Sequence, residues 1–264
     1  MRKSTLIAIV AIVFLLMVVI VGVHFSQKDS DTNIPGENTN SEDNNVNGKQ
    51  TSFFEQTDTH VIDIKYPDTP DDDIDASIRA HIEPYITSFK EYQNSGLPDL
   101  PENTRKYALI AEYKVTSNND YTTYVYTIIN DTGGAHPNTN FETITFDKDG
   151  SEVSIEDILE KEFTETPVIL DDLSTLTKEK LYEKLGREEG AQWIEDGASP
   201  DPDNYRSFSI GEDGLTIIFA PYQVGPYAWG VQNVKMTFDE LFKSSIETKA
   251  INATSTDTGT STDE

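Results

Sequence analysis

The chain has 264 residues, 47 acids against 20 lysines and arginines for a formal net charge of −27, and no cysteine. Such a balance repels nucleic acid and anionic lipid and favours cationic partners. Without thiols there are no disulfides, no thiolate metal sites and no cysteine nucleophile, so an exported domain of this sequence is held by its apolar core alone.

Residues 4–23, from Ser4 to Val23, carry no charge and are almost wholly apolar. About 20 such residues suffice for a helix to cross the ~30 Å hydrocarbon core. Arg2 and Lys3 precede the run, which places the N-terminus in the cytoplasm. The expectation is a single-pass anchor over 1–25 in the cell membrane, with the rest displayed outside. A cleaved signal peptide is the competing reading, although Ile20-Val21-Gly22-Val23 lacks the small-residue cleavage pattern. Residues 26–52 contain no aromatic side chain and read as a disordered linker. The Thr/Ser/Asp-rich stretch 247–264 reads as a second disordered tail.

Between them, His60–Tyr66 alternates as a strand. Ile74, Ile78, Ile82, Ile86 and Phe89 then form an apolar stripe at helical spacing, predicting a helix over 72–93 with a kink at Pro84. Asp71, Asp72, Asp73 and Asp75 at its start lack the alternating spacing of a calcium loop and suit helix capping. Strands are expected at 106–117 and 121–130, joined by Asn118-Asn119-Asp120, and at 140–147. Ser154-Ile-Glu-Asp157 has the form of a capping box opening a short helix, and Leu173, Leu176, Leu181 and Leu185 suggest another over 171–186, stopped by Gly186. A hairpin (205–210 with 215–219), a strand (231–238) and a short helix (239–243) complete the tract. Strands with helices inserted among them argue an α+β fold of mixed and antiparallel sheets in two adjoining lobes, 53–130 and 131–246. The second lobe is expected to use the strands at 140–147, 205–219 and 231–238.

Familiar catalytic and phosphate-binding signatures are missing. His60, His81 and His136 are widely spaced, and neither a metal nor a cofactor is expected. Two segments stand out. In Asp131-Thr-Gly133-Gly134-Ala-His136-Pro137 the paired glycines permit positive φ and close backbone approach, while His136 offers two ring nitrogens. The same loop could be a sharp connection in which His136 bonds a nearby carbonyl. In Phe219-Ala-Pro-Tyr222-Gln-Val-Gly-Pro-Tyr227-Ala-Trp229-Gly230, prolines and glycines interrupt an aromatic run. Tyr222, Tyr227 and Trp229 could form a platform for sugar rings or a protein hot spot, or plug the core beneath the loop. The candidate ligand-binding set is Gly133, Gly134, His136, Tyr222, Tyr227 and Trp229.

Thr-Gly-Gly-Ala-His at 132–136, followed by Pro-Tyr-x-x-x-Pro-Tyr-Ala-x-Gly at 221–230, resembles the extracellular domain shared by the RsiV anti-sigma factors and the PdaC peptidoglycan deacetylases. Residues 53–130 resemble the smaller PdaC N-terminal-type domain that accompanies it. In the deacetylases the resemblance places catalysis on a separate NodB-type barrel with a Thr-Phe-Asp-Asp metal motif, for which no room remains here. Thr145-Phe146-Asp147-Lys148-Asp149-Gly150 imitates that motif but reads as a turn. In the anti-sigma factors a cytoplasmic segment precedes the membrane helix, where this chain has only Met1-Arg2-Lys3.

These features imply a membrane-anchored, extracytoplasmic binding or sensing module of the bacterial envelope. Its expected partner is a cationic, lysozyme-like protein or a peptidoglycan fragment, and catalysis is not expected. The alternatives are a cell-wall glycan deacetylase or esterase using His136 as base, and a purely structural envelope protein.

Overall fold

The computed structural model describes residues 49–95, 105–164, 167–186, 190–212 and 214–257. The expected anchor and nearly all of the expected linker lie outside the described residues. Among the described residues no helix is long and apolar enough to cross a membrane.

Strand β1 (Gln50–Gln56) runs antiparallel to β2 (His60–Pro67). β2 is parallel to β3 (Tyr107–Ser117), which is antiparallel to β4 (Tyr121–Asp131), itself antiparallel to β5 (Asn138–Asp147). The result is a mixed five-stranded sheet in the order β1-β2-β3-β4-β5. Parallel neighbours cannot be joined by a tight turn. Helix α1 (Asp72–Asn94) supplies the crossover between β2 and β3.

The aspartates before the isoleucine stripe serve the helix start. Asp71 is the N-cap, its carboxylate accepting from the amides of Asp73 and Ile74, and the Asp75 carboxylate accepts from the Thr69 amide. The helix continues through Pro84. Ile78, Ile82 and Phe89 are buried against Ile62, Ile64 and Tyr66 of β2, Leu109 and Tyr113 of β3, Tyr126 and Ile128 of β4 and Ile144 of β5. This is the first core, on one face of the sheet.

The second core lies among a three-stranded antiparallel sheet and four helices. The strands are β6 (Phe208–Gly211), β7 (Gly214–Phe219) and β8 (Gln232–Met236), in that order. The helices are α2 (Ile155–Glu162), α3 (Leu170–Leu185), α4 (Ala191–Gly197) and α5 (Phe238–Asp257). Ser154 and Asp157 form the expected capping box on α2. Leu173, Leu181, Ile194, Tyr205, Ile217, Phe219 and Leu241 are buried here.

Two expectations need correction. The strand at 138–147 pairs with β4 and completes the first sheet, instead of joining β6–β8. The register explains this, with Tyr124 opposite Ile144 and Tyr126 opposite Glu142, whereas the second core's sheet is met through threonine hydroxyls. Thr143 Oγ1 donates to the Arg206 carbonyl (2.8 Å) and accepts from the Phe208 amide (3.1 Å). Thr123 Oγ1, 3.0 Å from Thr145 Oγ1, accepts from the Ile210 amide. The final helix also runs past 243 into the stretch read as tail, reaching Asp257. Ser245 donates to the Asp172 carboxylate, and Lys249 donates to the Pro167 carbonyl and lies 3.7 Å from Asp172. These contacts tie α5 to α3 and the segment before it.

Candidate functional site

The loop after β4 is built around Asp131. This carboxylate is buried, pairs with Arg105 at 2.6 Å and accepts from the Gly133 amide at 3.1 Å. Gly133 has φ +80°, and a β-carbon there would stand 2.8 Å from the Tyr107 ring, so both conformation and space require glycine. Gly134 has neither constraint: its φ is not positive and its nearest neighbour is a carbonyl 3.7 Å from an added β-carbon. The turn delivers His136, whose Nδ1 donates to the Pro137 carbonyl at 3.1 Å. A carbonyl only accepts, which fixes the proton on Nδ1 when the ring is neutral. Nε2 makes no hydrogen bond to a described residue.

The aromatic loop after β7 is pinned from below. Val224 is buried in the second core, and the Gln223 side-chain amide donates to the carbonyls of Gly197 and Asn204. The Trp229 ring lies on two glycines: a β-carbon would come 2.6 Å from it at Gly190 and 2.1 Å from it at Gly225. Gln232 holds the Trp229 carbonyl at 2.6 Å. With its base fixed, the loop turns two tyrosines outward, Tyr222 at 51% exposure and Tyr227 at 37%. Tyr222 adopts φ +75°, a left-handed conformation costing about 1–3 kcal/mol that the surrounding contacts must hold in place.

The two segments meet. The His136 and Tyr227 rings stack with centroids 3.9 Å apart and 16° between planes, and Tyr222 lies 5.4 Å from Tyr227. His136, Tyr227 and Tyr222 therefore form one aromatic surface drawn from positions more than eighty residues apart in sequence. Trp229 stands apart from them, as a half-buried ring packed on Gly190 and Gly225. Sequence reasoning passed over Trp193, which α4 presents at 43% exposure three residues after the glycine lying on Trp229. Its signal was slight, since α4 spans seven residues without a readable apolar period.

The other two histidines in the folded tract are engaged elsewhere. His60 Nε2 lies 3.1 Å from Glu55. His81 bridges Glu142 through Nδ1 (3.0 Å) and Glu152 through Nε2 (2.9 Å), and Tyr85 donates to the second Glu142 oxygen. The Glu142 hydrogen bond, with both carboxylate charges, raises the His81 pKa against the opposing effect of burial. Among the described residues no His, Cys, Asp and Glu grouping is arranged to hold a metal ion.

Fold and site together describe an α+β protein of two successive modules, and comparison with known families divides it the same way. Residues 54–139 match the family model "Deacetylase PdaC" and residues 146–239 match "Protein of unknown function (DUF3298)". The chain thus carries a PdaC-type domain followed by a DUF3298 domain. It is 24% identical over 194 residues to the peptidoglycan-N-acetylmuramic acid deacetylase PdaC of Bacillus subtilis. That match covers 72% of this chain and 40% of the relative, so the chain spans about two fifths of the deacetylase's length. A crystal structure of a DUF3298 family protein from Pseudomonas aeruginosa shares the fold, with a TM-score of 0.50 at 16% identity over 73% of this chain and 91% of that one. A second DUF3298 structure, from Bacteroides fragilis, superimposes with a TM-score of 0.47 at 16% identity, covering 73% and 91%.

Proposed function

We propose that this chain is a membrane-anchored recognition module of the bacterial envelope, displayed outside the cell and binding a wall-associated ligand. The ligand is a cationic, lysozyme-like protein or a peptidoglycan fragment. One observation carries the reading: two distant segments, each fixed by its own glycine packing, are brought together to stack His136 on Tyr227 beside Tyr222 at the surface. Rigid aromatic rings give large contact area at small entropic cost, as binding hot spots require. His136 Nε2 adds a polar group at the edge of the stack.

The apolar run 4–23 after Arg2 and Lys3 supports the anchor and its orientation. The net charge of −27 supports a cationic partner, whose attraction should fade as salt shortens the Debye length. The printed activity of the Bacillus subtilis relative supports a place at the peptidoglycan. A hydrolytic reading would use His136 as general base. Its Nδ1 is committed to a carbonyl, and among the described residues no carboxylate orients it, which favours recognition.

The test is titration of the fragment 44–264, which retains every described residue, with lysozyme and with muropeptides at low salt. Binding of either supports the proposal. Binding of neither, or acetate release from acetylated peptidoglycan, refutes it.

A further inference from the structure

Strand β1 is the one described sheet edge whose outward backbone is left open along its length. The amide of Thr57 donates to the His60 carbonyl and the amide of Asp68 to the Lys49 carbonyl, both at 2.9 Å. In an antiparallel ladder the residues alternate, so Lys49, Thr51, Phe53, Glu55 and Thr57 turn their N–H and C=O groups toward β2. Gln50, Ser52, Phe54 and Gln56 turn theirs outward, and among the described residues none of those groups has a hydrogen-bond partner.

The other edges each carry a contact from a neighbouring element. On β5 the Phe141 carbonyl accepts from Ser207 and the Thr145 carbonyl from the Val153 amide. On β6 the Phe208 and Ile210 amides donate to threonines of the first sheet. On β8 the Lys184 ammonium reaches the Asn233 carbonyl.

β1 also has no proline, lysine or bulge to protect its edge, and its one charged residue is Glu55. It exposes Phe54 at 60% and Phe53 at 36%. Its single charge is answered within the fold, since the Glu55 carboxylate is 2.6 Å from Lys90 and 3.1 Å from His60. In a chain of net charge −27 this is a stretch of low net charge that exposes two phenylalanines among uncharged polar residues.

We propose that β1 is a self-association edge, along which two copies of the chain pair antiparallel about a two-fold axis through Phe53. A two-fold places Ser52 opposite Phe54 and Gln50 opposite Gln56 of the second copy, so every outward N–H meets an outward C=O and the strand is complementary to itself. The two Phe53 rings become neighbours on the face that carries α1, next to the Lys90 ammonium over each ring. The two sheets then continue as one. The acidic remainder of each copy repels the other, so pairing strengthens with salt, opposite in sign to capture of a cationic ligand. This inference does not depend on the aromatic surface.

The natural absence of cysteine permits a direct test in the full chain. Phe53→Cys places two thiols opposite each other at the axis, and mild oxidation should yield a covalent dimer. Asn119→Cys, in the exposed β3–β4 turn, should not. Adding Ser52→Pro removes one outward donor without touching the β2 ladder, and Phe54→Glu sets like charges along the axis; each should abolish the dimer while the melting transition persists. Either variant serves if the other fails to fold. The proposal is overturned if Phe53→Cys stays monomeric or links no better than Asn119→Cys. It is equally overturned if the product contains a chain of different mass, or if the dimer survives both second changes.

Discussion

The imidazole of His136 lies flat against the ring of Tyr227, 3.9 Å between centroids and 16° between planes, although the first residue ends a connection in the first sheet and the second belongs to a loop of the second core. A stack of this kind contributes about 0.5–1.5 kcal/mol beyond its buried area. Tyr227→Ala should therefore lower the melting temperature slightly while weakening ligand binding by about 1–3 kcal/mol, the range for an aromatic anchor. Calorimetric titration beside thermal melting separates the two effects. A variant that melts far lower, with its folded fraction binding normally, would make Tyr227 a structural residue.

Trp229 predicts the opposite pattern, because its ring is packed on Gly190 and Gly225. Gly225→Ala drives a methyl group into the indole, at an expected cost of about 1–3 kcal/mol for overpacking. Trp193 is the only other tryptophan, so a Trp193→Phe background isolates the Trp229 fluorescence. Emission should shift to the red in Gly225→Ala as the ring is displaced toward water. Unchanged emission and melting would show that the ring is free to move aside.

Ile82 sits fully buried in the middle of the α1 stripe. Ile82→Asp would place a carboxylate there without a partner, at a cost of several kcal/mol, and should abolish cooperative unfolding. Retention of a normal calorimetric transition would contradict this packing of α1 on the first sheet.

His81 ties α1 to Glu142 of β5 and to Glu152 beyond it. Its pKa is raised, first by the Glu142 hydrogen bond, so its contribution to stability is complete below the unfolded value of about 6.5 and is lost as pH rises through the higher folded value. The melting-temperature gap between the wild type and His81→Gln should be widest below pH ~6.5 and narrow as pH rises above it. A gap independent of pH would assign the residue a packing role only.

Much of this architecture is legible in residue order. The α1 stripe, the capping box at Ser154 and Asp157, and the long alternating strands β3 and β4 are local patterns repeated over several turns or pairs. What the sequence hides is non-local. β5 joins the first sheet because Tyr124 and Tyr126 find Ile144 and Glu142 opposite them, a register that no feature of 140–147 announces. β1, with Gln, Thr and Ser around two phenylalanines, lacks a one-sided apolar pattern because it is an exposed edge. α5 past residue 243 is held by Asp172 and Pro167, which lie more than seventy residues earlier. At the site, both motifs are visible, but that Tyr222 and Tyr227 are exposed while Trp229 packs half-buried depends on Gly190 and Gly225, whose contacts exist only in the fold.

The central claim is that His136, Tyr227 and Tyr222 form one recognition surface, and a double-mutant cycle tests it most directly. Lysozyme and muropeptide affinities are measured at low salt for the wild type, His136→Ala, Tyr227→Ala and the double variant. The account predicts that each single change weakens binding of the same ligand and that the double change costs clearly less than their sum, because the stacked rings act together. Undiminished binding in both single variants, with their folds intact, would contradict it.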